Sequence, residues 1–223
     1  MTDINLGGSI LFCLVGPTGS GKSSICSRLL DIDPRLTLSI SATSRNPRGA
    51  EVPGQHYHFY SKDNFESLIT RQEFFEWELV HGNYYGTLKS TLTSAAEAGK
   101  DLLLDIDIRG ALNFRKHFPG NTVLLFMVPP SLDILLARIK NRTEVSRSEI
   151  LNRLKTAVQE FFTFEKHYGD FDYLLINDDF EVAVNTTEGV IAAERLRIDR
   201  RFTRVSGLVS GFINSINVEL ARG

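Results

Sequence analysis

The chain predicts an α/β fold: a parallel sheet of five strands flanked by helices, with an inserted α+β segment and a short lid. Three observations carry this expectation. Five short apolar runs, at 10–15, 36–41, 102–106, 123–128 and 173–176, are continuous rather than alternating. Continuous runs suit strands covered on both faces, and the longer stretches between them have room for crossover helices. A glycine-rich pattern directly follows the first run, where strand passes to helix. The composition agrees: 223 residues, 42% of them apolar, can bury the core of one large domain.

Taken in order, the run at 10–15 is the first strand. It is followed by Gly16, Pro17, Thr18, Gly19, Ser20, Gly21, Lys22 and Ser23. This fits G-x-x-x-x-G-K-[ST], the loop that wraps backbone N–H groups around phosphate oxygens. Residues 23–30 read as the helix whose free N-terminal donors and positive dipole end complete the cradle. Lys22 would reach the outer phosphates of a nucleoside triphosphate, and the Ser23 hydroxyl would ligate Mg²⁺. The fold is therefore expected to be of the P-loop NTPase type. A second strand follows at 36–41. From 43 to 88 the chain is rich in turn residues, aromatics and charges, with one weak alternation over 57–60, and reads as a small inserted subdomain.

Within the run at 102–106, Leu102–Leu104 is followed by Asp105, with Asp107 next on the same face, where strand-end aspartates support Mg²⁺ or nucleotide. After the strand at 123–128, residues 131–140 read as a helix and the polar stretch 140–148 as a flap. Ser146-Arg-Ser-Glu149 is a capping box that opens a longer helix toward His167. A strand at 173–176 and a helix over about 181–200 close the pattern. The tail is rich in small residues and reads as a weakly ordered appendage. The expected organisation is a discontinuous core of 1–40, 90–137 and 154–202, an insert at 41–89, a lid at 138–153 and the tail at 203–223.

The insert carries the signs of a second substrate. Arg45 and Arg48 flank a proline in a turn that follows Ser41, and guanidinium forks suit phosphate oxygens. Tyr57 and Tyr85 have hydroxyls that can donate to the same group. Glu76 can accept two hydrogen bonds from the N1–H and N2–H₂ edge of guanine, which adenine lacks. Each residue has a plainer alternative, as surface charge or packing. Placed together behind a phosphate loop, they favour a second phosphate-bearing substrate.

These segments resemble guanylate kinase. The matching stretches are 16–24, 41–48, 49–54 through Tyr57, Glu73-Phe-Phe-Glu76-Trp77, 82–87, Leu104-Asp105-Ile-Asp107 with Gly110, Pro129-Pro130-Ser131, and Ile176-Asn177-Asp178-Asp179. They run in family order over about residues 9–200. The resemblance implies that MgATP donates its γ-phosphoryl group to GMP, and to dGMP as well. It implies that Arg45, Arg48, Tyr57 and Tyr85 hold the GMP phosphate with Ser41 nearby, and that Glu76 and Thr87 read the guanine. Asp105 and Asp107 line that pocket, with Asp105 reaching Mg²⁺ through water. Ser24 completes the ATP loop and Asn177 lies near the adenine. Arg138, Arg142 and Arg153 match the lid and lid-edge arginines that act in catalysis beside Lys22. The chain departs from the pattern in the lid, where Asn141-Arg142-Thr143-Glu144 replaces the common Gly-Arg-Gly-Thr. Loss of both glycines is expected to stiffen the lid or change its sweep.

Other function classes find less support. A net charge of −2 gives no bias toward nucleic acid or acidic membranes. No leader and no spanning run is evident, which places the protein in the cytoplasm, and Cys13 and Cys26 read as packing residues. His56 and His58 lack a third metal ligand. Phe161, Phe162 and Phe164 read as packing residues. Two alternatives stand beside an active kinase: a catalytically silent guanylate kinase-like binding module, and a kinase for another acceptor. The intact loop lysine argues against the first, and Glu76 beside Trp77 against the second. Oligomeric state is not written in the sequence.

Overall fold

The computed structural model describes residues 4–80, 82–140 and 146–222, with the backbone alone at 202–204. The chain falls into two compact units, Met1–Asn185 and Thr186–Gly223. In the first, a five-stranded sheet has the order β2-β7-β1-β8-β9, formed by Leu36–Leu38, Asp101–Asp105, Leu11–Val15, Thr122–Val128 and Tyr173–Ile176. Every neighbouring pair is parallel. Strand β1 is buried along its whole length, as its unbroken apolar run requires. Leu11, Leu104, Phe114 and Phe126 meet in the core with Phe161 and Phe164 packed against it. Phe164 stacks on Phe126 at 3.8 Å between centroids, whereas Phe162 is exposed rather than packed.

The register positions the site. Leu14 of β1 lies level with Asp105 of β7, so the loop after Val15 leaves the sheet beside that carboxylate. Open parallel sheets place ligands beyond the carboxyl ends of their strands. Here those ends carry the glycine loop, which opens α1 (Lys22–Ile32), and Asp107, which opens α4 (Ile108–His117).

The apolar run at 36–41 does not form one strand. Leu36–Leu38 joins the large sheet. The chain then crosses over, and β3 (Ala42–Thr43) joins a second sheet of order β4-β3-β6-β5. Its other strands are β4 (His58–Phe59), β5 (Phe74–Val80) and β6 (Asn83–Leu88). Sequence reading finds one weak strand in this insert; the structure has four. The others are short or half-exposed, so they lack the apolar continuity that marks the main sheet. Helix α2 (Lys62–Thr70) closes one face, with Phe65 stacked between Phe74 and Tyr84 at 4.3 and 5.2 Å. A bulge between Phe74 and Glu76 shifts the pairing of β5 so that Glu76 stands opposite Thr87. Bulges re-aim side chains in this way next to functional sites.

Helix α3 (Lys89–Glu97) leads back to the main sheet. Helices α5 (Leu132–Lys140) and α6 (Arg147–His167) flank residues 141–145, which lie outside the described residues. Ser146 caps α6 by accepting from the Glu149 N–H at 3.3 Å, the forward half of the expected box. The C-terminal expectations need correction. The helix expected over 181–200 is α7 (Phe180–Leu196), and Arg197 takes an extended ψ of 136°. The tail expected to be weakly ordered is one helix, α8 (Ile198–Leu220). Among the described residues, no helix is long and apolar enough to cross a membrane.

Candidate active site

The glycine loop is shaped by residues without side chains. Gly16, Gly19 and Gly21 have φ of 144°, 92° and 101°. A Cβ on Gly16 would fall 2.1 Å from the Met127 carbonyl oxygen, and one on Gly21 would fall 2.1 Å from Asn177 Nδ2. Only glycine fits either place. Gly21 precedes α1 in a left-handed conformation, with no side-chain cap and no acid in the first turn. The first N–H groups of α1 therefore meet no competing carboxylate and remain available to an anion. Pro17 is buried and Thr18 half-buried, whereas Ser23 and Ser24 are exposed at the start of α1. The Lys22 ammonium folds onto the loop, donating to the Gly16 carbonyl and to the Pro17 carbonyl at 3.3 Å.

Asn177 braces the loop from behind. Its Nδ2 donates to the Ser20 carbonyl at 2.7 Å, and its own carbonyl accepts from Arg138 Nη2 at 3.0 Å. Five buried polar atoms near these elements have no partner among the described residues: Ser20 Oγ, Asn177 Oδ1, Arg138 Nη1, Arg153 Nη1 and Glu160 Oε2. Buried polar groups are rarely left unpaired unless a ligand or water completes them. Arg153 is held by Glu149 at 2.7 Å, one turn earlier on α6. Arg142 lies outside the described residues.

The Ser23 hydroxyl donates to Asp105 Oδ2 at 2.5 Å. That contact joins the start of α1 to the end of β7 and sets two hard oxygen donors side by side. Among the described residues no group of three or more His, Cys, Asp or Glu is placed to hold a metal, His56 and His58 included. Magnesium needs no such cage, since it takes one or two protein oxygens and fills its octahedron with phosphates and water. Asp107 points a different way, and its Oδ1 caps α4 by accepting from Gly110 N at 2.8 Å.

Of the insert's candidates, Ser41 and Tyr57 line a cavity of about 600 Å³ together with Glu51, Ser23 and Asp105, whereas Glu76 lines a separate pocket beside Phe75 and His117. Arg45 is buried and makes a two-pronged ion pair with Glu51, both contacts at 2.7 Å. Its guanidinium sits 5.1 Å from the Tyr57 ring centroid. The Tyr57 and Tyr85 rings meet edge to face at 6.1 Å. The Arg45 bond holds the Glu51 carboxyl down at about 2, helped by the Arg48 backbone N–H. Arg48 itself is exposed. On the adjoining strands, buried Thr87 donates to Glu76 Oε1 at 2.7 Å. Burial raises the Glu76 carboxyl above its usual range, and the Thr87 bond opposes the rise.

Two residues escape the sequence reading. Glu51 orients Arg45 and, through the Arg48 N–H at 2.8 Å, the turn between the two arginines. Its signal was a lone acid just past an arginine pair, which reads as an ordinary surface charge. Glu160, mid-way along α6, is an anion in a cleft made for anions. Burial pushes its carboxyl up to about 7; Lys22 opposes the rise, and Asp107 and Asp105 add to it. Nothing in sequence spacing separates Glu160 from the solvent-facing acids of a long helix.

Comparison with known proteins agrees with this geometry. The family model for guanylate kinase matches residues 9–194. A guanylate kinase of Caldanaerobacter subterraneus subsp. tengcongensis is 41% identical over 191 residues, covering 86% of this chain and 90% of its own. One of Bartonella henselae is 41% identical over 209 residues, covering 94% and 90%. The crystal structure of guanylate kinase from Anaplasma phagocytophilum superposes with a TM-score of 0.69 at 28% identity, covering 86% of this chain and 89% of that one. The match spans most of the chain and of its relatives alike, and the chain belongs to the guanylate kinase family, the kinases that transfer a phosphoryl group from ATP to GMP.

Proposed function

We propose the following division of labour for ATP:GMP phosphotransfer in this cleft. ATP lies with its phosphates in the loop 16–23, along the N-terminus of α1, with Ser24 beside them and Asn177 toward the adenine. GMP lies in the insert. Arg45, Arg48, Tyr57 and Tyr85 take its phosphate with Ser41 near, and Glu76 and Thr87 take its base. The observation that carries this reading is the Thr87–Glu76 bond. It occupies one carboxylate oxygen and fixes the other, so a guanine edge meets an acceptor that is already aimed. A ribose lacking its 2′-hydroxyl leaves that contact unchanged, so dGMP is an acceptor too.

In the reaction an oxygen of the GMP phosphate bonds to the γ-phosphorus as the bond to the β-bridging oxygen breaks, and ADP leaves. The acceptor phosphate is largely dianionic at neutral pH, its second pKa being ~6, so no protein base is required. Two mutually repelling anions must be aligned and the migrating charge covered. Lys22, Arg138, Arg142 and Arg153 supply that cover. Ser23 and Asp105 suit a magnesium ion, Asp105 by way of water. When bound, the ion would neutralise charge on the β- and γ-phosphate oxygens. Buried free thiols at Cys13 and Cys26 fit a reducing, cytoplasmic setting.

A coupled ADP-release assay across GMP, dGMP, AMP, UMP, CMP and dTMP tests the reading. Turnover is expected with GMP and dGMP and to fall by about 10³-fold or more in Lys22→Ala. No turnover with GMP in folded protein supplied with Mg²⁺ and ATP overturns it. A protein that binds GMP without turnover would instead be the silent binding module.

A further inference from the structure

Helix α8 carries an apolar stripe, half-buried at Val205 and open to solvent along the rest. Ile198, Val205, Leu208, Val209, Phe212, Ile213, Ile216 and Leu220 fall within a sector of about 140° when its residues advance by 100° each. Leu208, Val209, Phe212, Ile213, Ile216 and Leu220 are each between 47% and 74% exposed. The opposite side holds Arg200 near the start of the helix and then Gly207, Ser210, Gly211, Asn214, Asn217 and Val218. A helix lying on a membrane surface would carry lysines and arginines there. The stretch 205–218, which carries most of the stripe, has no charged residue at all, and the arginines are confined to the first two turns, which favours a protein partner.

The partner's shape is written in the spacing. Val205, Val209, Phe212 and Ile216 alternate steps of four, three and four, the seam of a coiled coil. The seam is self-complementary when reversed: Val205 meets Ile216 of a second copy and Val209 meets Phe212, the closed two-fold arrangement of a homodimer. Charge agrees with that direction. Arg201 and Glu219 stand five turns apart on one flank of the stripe. An antiparallel pair brings each beside its opposite on the second copy, and opposes the two macrodipoles. A parallel pair turns that flank toward Ser206 and Ile213 and gives neither charge a partner on the second copy, leaving Glu219 only its exposed pairing with Arg222 at 3.3 Å. The six exposed side chains of the stripe from Leu208 to Leu220 offer about 100 Å² apiece, so two copies would bury about 1,200 Å² in all, the lower end of stable interfaces. The geometry points to α8 as a self-association surface, through which two copies of this chain pair antiparallel with Val209 of each against Phe212 of the other.

Sedimentation of the full chain at micromolar concentration, with and without anionic vesicles, tests this. A dimer is expected. Phe212→Asp should raise its dissociation constant by about a hundredfold while dilute phosphotransfer is retained. Glu219→Arg should weaken the dimer about tenfold, because two pairs are reversed per dimer, and adding Arg201→Glu should restore it. These exposed charge changes keep the test open even if Phe212→Asp fails to fold. A monomeric wild type overturns the inference, as does a dimer indifferent to both sets of changes. Vesicle binding by a chain that is monomeric in solution overturns it in favour of a membrane.

Discussion

In the proposed reading Glu76 decides between purines, with its carboxylate oriented by the bond from Thr87 to one of its oxygens. In Glu76→Gln the amide NH₂ competes for that role and faces guanine's own donors. GMP kcat/KM should fall by about 10²-fold or more while the KM for ATP stays within about twofold. Steady-state kinetics with GMP and AMP would check this, and an unchanged guanine preference would assign base reading to another residue. Glu160 makes a separate prediction from its charge. Its carboxyl ordinarily titrates near 4.5 and is held at about 7 in the fold. Between those values the folded chain binds a proton that the unfolded chain has lost, so stability falls as pH rises through that window. Allowing for its partial contact with water, the loss is about 1–2 kcal/mol, a few degrees of melting temperature. Glu160→Gln should flatten that decline in ligand-free protein; thermal melts from pH 4.5 to 8 that run parallel to wild type would contradict it. Sequence made Glu76 legible because its chemistry is specific to one base edge. It hid Glu160, whose carboxyl is raised chiefly by burial, with Asp107 and Asp105 adding to the rise from distant parts of the chain and Lys22 opposing it.

Among elements, those read correctly are the ones whose surroundings leave a simple mark. Strands β1, β7 and β8 are covered on both faces, so their apolar runs are unbroken. Strand β5 alternates only partly, with Trp77 and Leu79 exposed, and β3 has two residues; neither carries a countable pattern. Helix α8 was hidden by Gly207, Gly211 and its serines. These read as breakers, although they share the polar side of a helix long enough to absorb their cost. Asp107 shows two roles divided at one element. It caps α4 and also adds its negative charge to the surroundings of Glu76. Asp107→Ala should cost about 1 kcal/mol of stability through the lost cap. Asp107→Asn keeps the capping oxygen, so it should melt close to wild type while making Glu76 easier to ionise. Denaturant unfolding of both variants beside the pH dependence of GMP KM would separate the roles. Equal destabilisation in both would mean that the charge, and not the cap, supports α4.

At the scale of the molecule, the proposed sites for the two substrates belong to different sheets. The phosphate loop belongs to β2-β7-β1-β8-β9, and the acceptor's candidate residues lie largely on β4-β3-β6-β5 and the turn after β3. The chain passes between the sheets twice, over residues 39–42 and where β6 runs into α3. Two nearby crossings leave a rotation as the soft motion of the insert, with hinges expected at 41–43 and 88–92. The chemistry asks for such a motion. Transfer needs water kept from the γ-phosphate, yet both substrates must enter and both products leave. It also needs the cations of both sheets to converge only when both anions are present, because either set brought together alone would repel itself. Closure should therefore depend on both ligands. Spin labels at Lys62→Cys on α2 and Asp31→Cys on α1 would report it, since Cys13 and Cys26 are buried and escape labelling. The distance should shorten by several ångströms with GMP plus a non-hydrolysable ATP analogue, and by less with either ligand alone. ATP hydrolysis without GMP should then stay below about 1% of the phosphotransfer rate. Equal distances in the free and doubly filled states, with hydrolysis still suppressed, would mean that water is excluded by the fit of the substrates in a rigid cleft and not by movement of the insert.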